Sequence, residues 1–66
     1  MQLWVNGEVQ EAPHEASLAR LLALLGIDPA KVAVERNGEI APKSSYESVR
    51  LAEGDRLEIV QFVGGG

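Results

Sequence analysis

Hydrophobic and polar residues alternate from the start of the chain. Leu3 and Val5 fall on one side of an extended segment and Trp4 on the other, and the run ends at Asn6-Gly7. Period-two alternation is the mark of a half-buried strand, and Asn-Gly accepts the positive φ of a tight hairpin turn. Two registers compete for the hairpin. A two-residue loop sets Trp4 across from Val9, whereas a three-residue Asn6-Gly7-Glu8 loop with a bulge sets Val5 across from Val9. The second is expected, because a one-residue slip would turn Val9 away from the core.

The period then changes. After the break at Ala12-Pro13-His14-Glu15-Ala16, Ser17 can cap a helix that carries Leu18, Leu21, Leu22 and Leu25 at i, i+3, i+4 and i+7. Ala19, Arg20 and Ala23 are expected to face out. Gly26 stands where a left-handed C′ residue belongs, and Asp28-Pro29 blocks continuation. Val32 to Arg36, the turn Asn37-Gly38, and Glu39 to Ala41 predict a second hairpin, whose two-residue register opposes Arg36 and Glu39 with favourable sign. Pro42 ends that strand. Lys43 to Ser48 is expected to form an irregular or single helical turn over the sheet edge, with the Tyr46 ring capping the core and its hydroxyl in water. Val49 and Leu51 precede the turn Glu53-Gly54-Asp55. Alternation resumes from Arg56 to Phe62, with Leu57 and Ile59 on one face and Val60 and Phe62 on the other.

A lone helix buries its leucine stripe only by lying across one face of the sheet. The class is therefore α+β, a β-grasp arrangement: a mixed sheet of four to five strands with one helix across one face. The first and last strands are expected side by side and parallel at its centre. Residues 1–63 form the domain and 64–66 a flexible glycine tail.

Composition narrows the chemistry. A chain of 66 residues is one domain, which buries only about 60% of its unfolded surface. With no cysteine and one histidine, it has no disulfide or zinc site to support that core. His14 stands in the loop before the helix without a second ligand, and Tyr46 has no base partner in view, so both are read as structural. The net charge of −4 and a pI near 4.8 argue against a nucleic-acid or anionic-membrane partner. Neither a membrane-spanning run nor a signal-peptide pattern is found, and the expected location is the cytoplasm.

No catalytic constellation or phosphate-binding loop precedes Phe62. The candidate chemistry is at the end of the chain, in Phe62-Val63-Gly64-Gly65-Gly66. Glycines without side chains can enter a site too narrow for any Cβ, and three of them span at most about 10 Å when extended. The reactive group there is the Gly66 α-carboxylate. Trp4, Val60 and Phe62 are expected to form an apolar patch on the sheet face away from the helix, with Glu58 beside them meeting a basic group of a partner.

The segments Val34-Glu35-Arg36-Asn37-Gly38-Glu39-Ile40, Glu53-Gly54-Asp55 and Glu58-Ile59-Val60-Gln61-Phe62-Val63-Gly64-Gly65-Gly66, set in a short β-grasp pattern, resemble the ThiS family of bacterial sulfur carriers in thiamin biosynthesis. The resemblance covers the whole chain. It implies a protein that is not itself an enzyme and binds no cofactor. The Gly66 carboxylate would be adenylated with ATP by an E1-like, ThiF-like partner, converted to a thiocarboxylate with sulfur from a donor enzyme, and used by a ThiG-like thiazole synthase. Gly65 matches the second glycine of the family's diglycine end, and Gly64 is an additional glycine. A bare diglycine end is shared with molybdopterin-synthase carriers and ubiquitin-like proteins. Two alternatives therefore stay open: a sulfur carrier for another acceptor, as in molybdopterin synthesis or tRNA thiolation, and a non-covalent β-grasp interaction module.

Overall fold

Two Asn-Gly turns and one short helix determine the architecture. The computed structural model describes residues 1–62 and contains β1 (Gln2–Val5), β2 (Glu8–Glu11), α1 (Leu18–Leu24), β3 (Val32–Arg36), β4 (Glu39–Ala41) and β5 (Arg56–Gln61). Single 3₁₀ turns occupy Pro29–Lys31 and Lys43–Ser45. The five strands form one sheet in the order β2-β1-β5-β3-β4, so β5 is central. It runs parallel to β1 and antiparallel to β3, as the expected β-grasp arrangement requires.

The core is the sheet face under the helix. Leu3, Val5, Val32, Val34 and Leu57 point into it from the strands, and Leu18, Leu21 and Leu22 meet them from α1. Truncating one of these buried leucines to alanine costs about 2–5 kcal/mol. Ala19 departs from the expected pattern: it is half-buried and packs against the core rather than facing out.

Both ends of α1 are closed by bonds that the local sequence explains. Ser17 Oγ accepts the Arg20 amide at 3.0 Å. The Leu18 and Ala19 amides donate to the Val49 and Tyr46 carbonyls, which ties the segment before β5 to the helix start. At the other end Gly26 takes φ 72°, its amide donates to Ala23 O, and the Ile27 amide donates to Leu22 O. This is a Schellman closure, which needs a left-handed residue where the glycine stands.

The first hairpin takes the register that the alternation did not favour. Val5 faces Glu8 and Trp4 faces Val9, across a two-residue turn with Asn6 at φ 49° and Gly7 at φ 82°. Two successive positive φ values match the twist of the flanking strands without a bulge, and this turn preference prevails over burial of one valine. Val9 is accordingly exposed beside Trp4 on the far face, while Gln10 lies opposite Leu3.

The second hairpin has the expected register, Arg36 opposite Glu39. The guanidinium nevertheless turns to Asp55, whose Oδ2 lies 2.9 Å from both Nε and Nη2. Asp55 is buried and also accepts from the Ala52 amide and from Asn37, a more desolvated site than exposed Glu39 can offer. Tyr46 corrects a second expectation. Its ring is buried as anticipated, but its hydroxyl is buried too and has no hydrogen-bond partner among the described residues.

Candidate functional site

The two asparagines that open the hairpins also dock them on β5. Asn6 Oδ1 accepts the Ile59 amide at 2.7 Å and its Nδ2 donates to Ile59 O at 3.2 Å. Asn37 Oδ1 accepts the Arg56 amide at 2.9 Å and its Nδ2 donates to Asp55 Oδ1 at 3.0 Å. The side-chain amide of Asn6 thus extends the β1–β5 pairing beyond the end of β1. On the other side β3 pairs with β5 as far as Val32 opposite Gln61, and the Phe62 amide adds a bond to Lys31 O at 2.9 Å. The strand that leads into the glycines is therefore held on both flanks. Gly64, Gly65 and Gly66, with Val63, lie outside the described residues.

Phe62 is fixed by its ring as well as its backbone. The Lys43 ammonium stands 4.8 Å from the ring centroid and donates to Ala30 O at 2.9 Å. Half of Phe62 remains exposed, at 50%.

The sheet face away from α1 collects exposed apolar side chains from four of the five strands. The parallel register sets Trp4 beside Arg56, and alternation along β5 continues the same face through Glu58 and Val60. Trp4 and Val60 are 40% and 60% exposed. Arg56, beside Trp4, and Glu58 occupy the β5 positions on this face that precede Val60. Two further apolar residues share the face, Val9 opposite Trp4 on β2 and Ile40 opposite Glu35 on β4. Ile40 was legible from the Arg36–Glu39 register, which forces it onto the side of Glu35. Val9 was concealed by the choice of turn.

Charge on this face is arranged unevenly. Glu58 lies directly opposite Glu35 across β3 and β5, a like-charge pair that costs about 0.2–1 kcal/mol relative to neutral partners. A basic group from outside would relieve it. Elsewhere, Asp55 combines opposing influences. Burial pushes its carboxyl up, but the Ala52 amide, Asn37 and the Arg36 guanidinium outweigh that and hold it below the ordinary carboxylate value. The arrangement is a clasp between the β3–β4 turn and the start of β5, distant in role from any reacting group. Among the described residues no group of three potential metal ligands occurs, and no helix is long and apolar enough to cross a membrane.

The family that matches this sequence is described as ThiS, over residues 3–66, which takes in the closing glycines. The chain belongs to the ThiS family. Among similar proteins, the sulfur carrier protein ThiS of Bacillus subtilis is 42% identical over 65 residues, covering 97% of this chain and 98% of its own. A thiazole synthase of Paramagnetospirillum magneticum is 53% identical over 66 residues, and one of Magnetococcus marinus is 44% identical. The chain spans about one fifth of the length of these two thiazole synthases, 20% in each case. The crystal structure of a thiamine biosynthesis protein, ThiS, from Geobacter metallireducens superposes with a TM-score of 0.82 at 30% identity, with 100% of both chains covered. This ThiS-family chain therefore has the β-grasp fold expected from its residue pattern.

Proposed function

We propose that this protein is the sulfur carrier of thiazole formation in thiamin biosynthesis, with the Gly66 α-carboxylate as the group that is modified. The observation that carries the reading is the anchored root of the tail: central strand β5, paired on both sides, and Phe62, bonded to Lys31, lead directly into Val63-Gly64-Gly65-Gly66. A rigid domain with a narrow glycine end can stay docked on a partner's surface while the carboxylate enters its cleft. Four residues past Phe62 reach at most about 13–14 Å.

In the proposed cycle a Gly66 carboxylate oxygen attacks the α-phosphorus of ATP in an E1-like, ThiF-like adenylyltransferase, and pyrophosphate leaves. Sulfide supplied by a donor enzyme then attacks the acyl carbon; the C–S bond forms as the C–O bond to AMP breaks, AMP leaves, and loss of the sulfur proton gives the thiocarboxylate. The carrier performs no catalysis and holds no cofactor; ATP is bound and consumed by the partner. A ThiG-like thiazole synthase is the proposed acceptor. This is supported by two relatives that bear that name and contain a segment similar to this whole chain within a protein about five times as long. Trp4, Val60, Phe62 and Glu58 are proposed to face these partners, with Glu35 beside Glu58 increasing the attraction for a basic contact.

The test is intact-mass spectrometry after incubation with ATP, the adenylyltransferase and a sulfur source. The expected result is the mass gain of one oxygen replaced by sulfur, mapped to Gly66 by fragmentation, followed by its loss when thiazole synthase and its substrates are added. An unchanged mass in the first stage would overturn the carrier reading. A stable thiocarboxylate in the second would overturn thiazole synthase as the acceptor.

A further inference from the structure

Three segments far apart in sequence meet where β5 ends. The first is the 3₁₀ turn Pro29–Lys31, which Asp28 fixes by accepting the Ala30 amide on Oδ1 at 2.9 Å and the Lys31 amide on its carbonyl at 3.0 Å. The second is Lys43, at the start of the turn that follows β4. The third is Phe62, the residue just beyond β5 and four before the end of the sequence. Lys43 links the other two. Its ammonium donates to Ala30 O at 2.9 Å and stands over the Phe62 ring at 4.8 Å from the centroid, while the Phe62 amide donates to Lys31 O at 2.9 Å.

We propose that Lys43 is a positioning residue for the end of β5, a clamp that holds Phe62 in one orientation and so sets the surface that this end of the sheet presents to a partner. This rests on the carrier function proposed above. A cation over an aromatic face within about 6 Å is attracted by the ring quadrupole. Here the cation is itself anchored by a carbonyl on a capped turn, so the attraction restrains the ring rather than merely following it. The backbone bond to Lys31 fixes the height of Phe62 along β3, and the ring contact fixes which way its side chain lies. A Phe62 held in one orientation raises the fraction of molecules whose surface at the end of β5 is ready to dock on a partner.

Two Lys43 variants separate this from a structural role. Lys43→Met keeps the aliphatic stem and removes the charge; Lys43→Arg keeps a cation that stacks on aromatic rings. In the free protein, NMR should show the Lys43 Cε protons shifted upfield by the Phe62 ring, a shift abolished in Phe62→Leu. In Lys43→Met the Phe62 ring and amide resonances should move and broaden, while those of Leu22 and Val34 stay in place. With the adenylyltransferase, Lys43→Met should raise KM for the carrier about two- to fivefold at unchanged kcat, the size expected for an exposed cation–π contact. Lys43→Arg should restore it. An unshifted Lys43 side chain in the wild-type protein, or a wild-type KM for Lys43→Met, would overturn the clamp. Failure of the wild-type chain to be adenylated would instead overturn the carrier function and leave the NMR result standing.

Discussion

Arg36 and Asp55 face each other across the junction between the second hairpin and the central strand, with both Nε and Nη2 of the guanidinium 2.9 Å from Oδ2. The same carboxylate accepts the Ala52 amide at 2.8 Å and Asn37 Nδ2 at 3.0 Å, and Arg36 also donates to Arg50 O. One acidic side chain thus closes the turn before β5 and holds the turn after β3.

The clasp predicts an acid limb. The folded-state carboxyl of Asp55 lies below its ordinary value of 3.8, so the folded state favours the anion. The stabilisation is complete well above pH 3.8 and is lost as pH falls through the folded value. Unfolding free energy of the wild type should fall on acidification below about pH 4. Asp55→Asn should be destabilised at neutral pH and should lack that component of the acid slope. Denaturant titrations between neutral and acid pH provide the check; parallel acid limbs in the two proteins would show that Asp55 does not control them.

The sequence revealed Asp55 only as a turn residue, because its role depends on Arg36, Asn37 and Ala52 meeting in space. The elements set by short-range chemistry were legible: Ser17 and Gly26 at the helix ends, the Asn37-Gly38 hairpin, and the inward Leu57. Val9 was misplaced because alternation was weighed above turn geometry, and the two Asn-Gly turns follow the same rule despite opposite expectations. The apolar content of the far face was legible at Trp4 and Val60. Glu58 was legible on the same face by alternation, whereas its position opposite Glu35 depends on the β3–β5 register. Lys43 gave no signal, because its partners Ala30 and Phe62 are distant in sequence.

Tyr46 predicts an alkaline limb. Burial of the phenol pushes its pKa above the ordinary 10.0, with the backbone of Val34 opposing by less. The folded state therefore favours the neutral form. Stability is unaffected below pH 10 and declines as pH rises above it toward the folded value. Tyr46→Phe removes a buried hydroxyl without a hydrogen-bond partner among the described residues, so it should leave the melting temperature at neutral pH unchanged or higher. It should also flatten the alkaline decline. A clearly lower melting temperature at neutral pH would mean that the hydroxyl is satisfied in solution.

Asn6 combines two functions that substitution can separate. Asn6→Gly keeps the positive φ and removes the amide bonds to Ile59; Asn6→Ala removes the bonds and also places a poor residue at φ 49°. The first should cost about 1–2 kcal/mol for the lost bonds. The second should cost about 1–2 kcal/mol more for the left-handed conformation. Equal stabilities for the two variants would show that backbone preference at this turn contributes nothing measurable.

The far face of the sheet carries the last prediction. Trp4, Val9, Ile40 and Val60 are exposed there, an apolar content that a lone monomer gains nothing by displaying, and its central acidic pair Glu35–Glu58 sits on β5 and its neighbour β3. A partner that covers the apolar residues and offers Lys or Arg to the pair would bury both features together. Trp4→Glu and Val60→Glu place a charge on a surface already in water and should change stability by less than about 0.5 kcal/mol. Ile59→Glu, one residue away but packed on the core, should unfold the domain by burying a charge. Calorimetry against the two proposed partners, adenylyltransferase and thiazole synthase, should find both far-face variants weakened. In Glu58→Gln and Glu35→Gln the association rate should fall, with a shallower dependence on salt, because these charges steer encounter more than they hold the complex. Undiminished affinity of the folded Trp4→Glu/Val60→Glu double variant for both partners would place docking elsewhere on the domain and leave the apolar far face without a role in transfer.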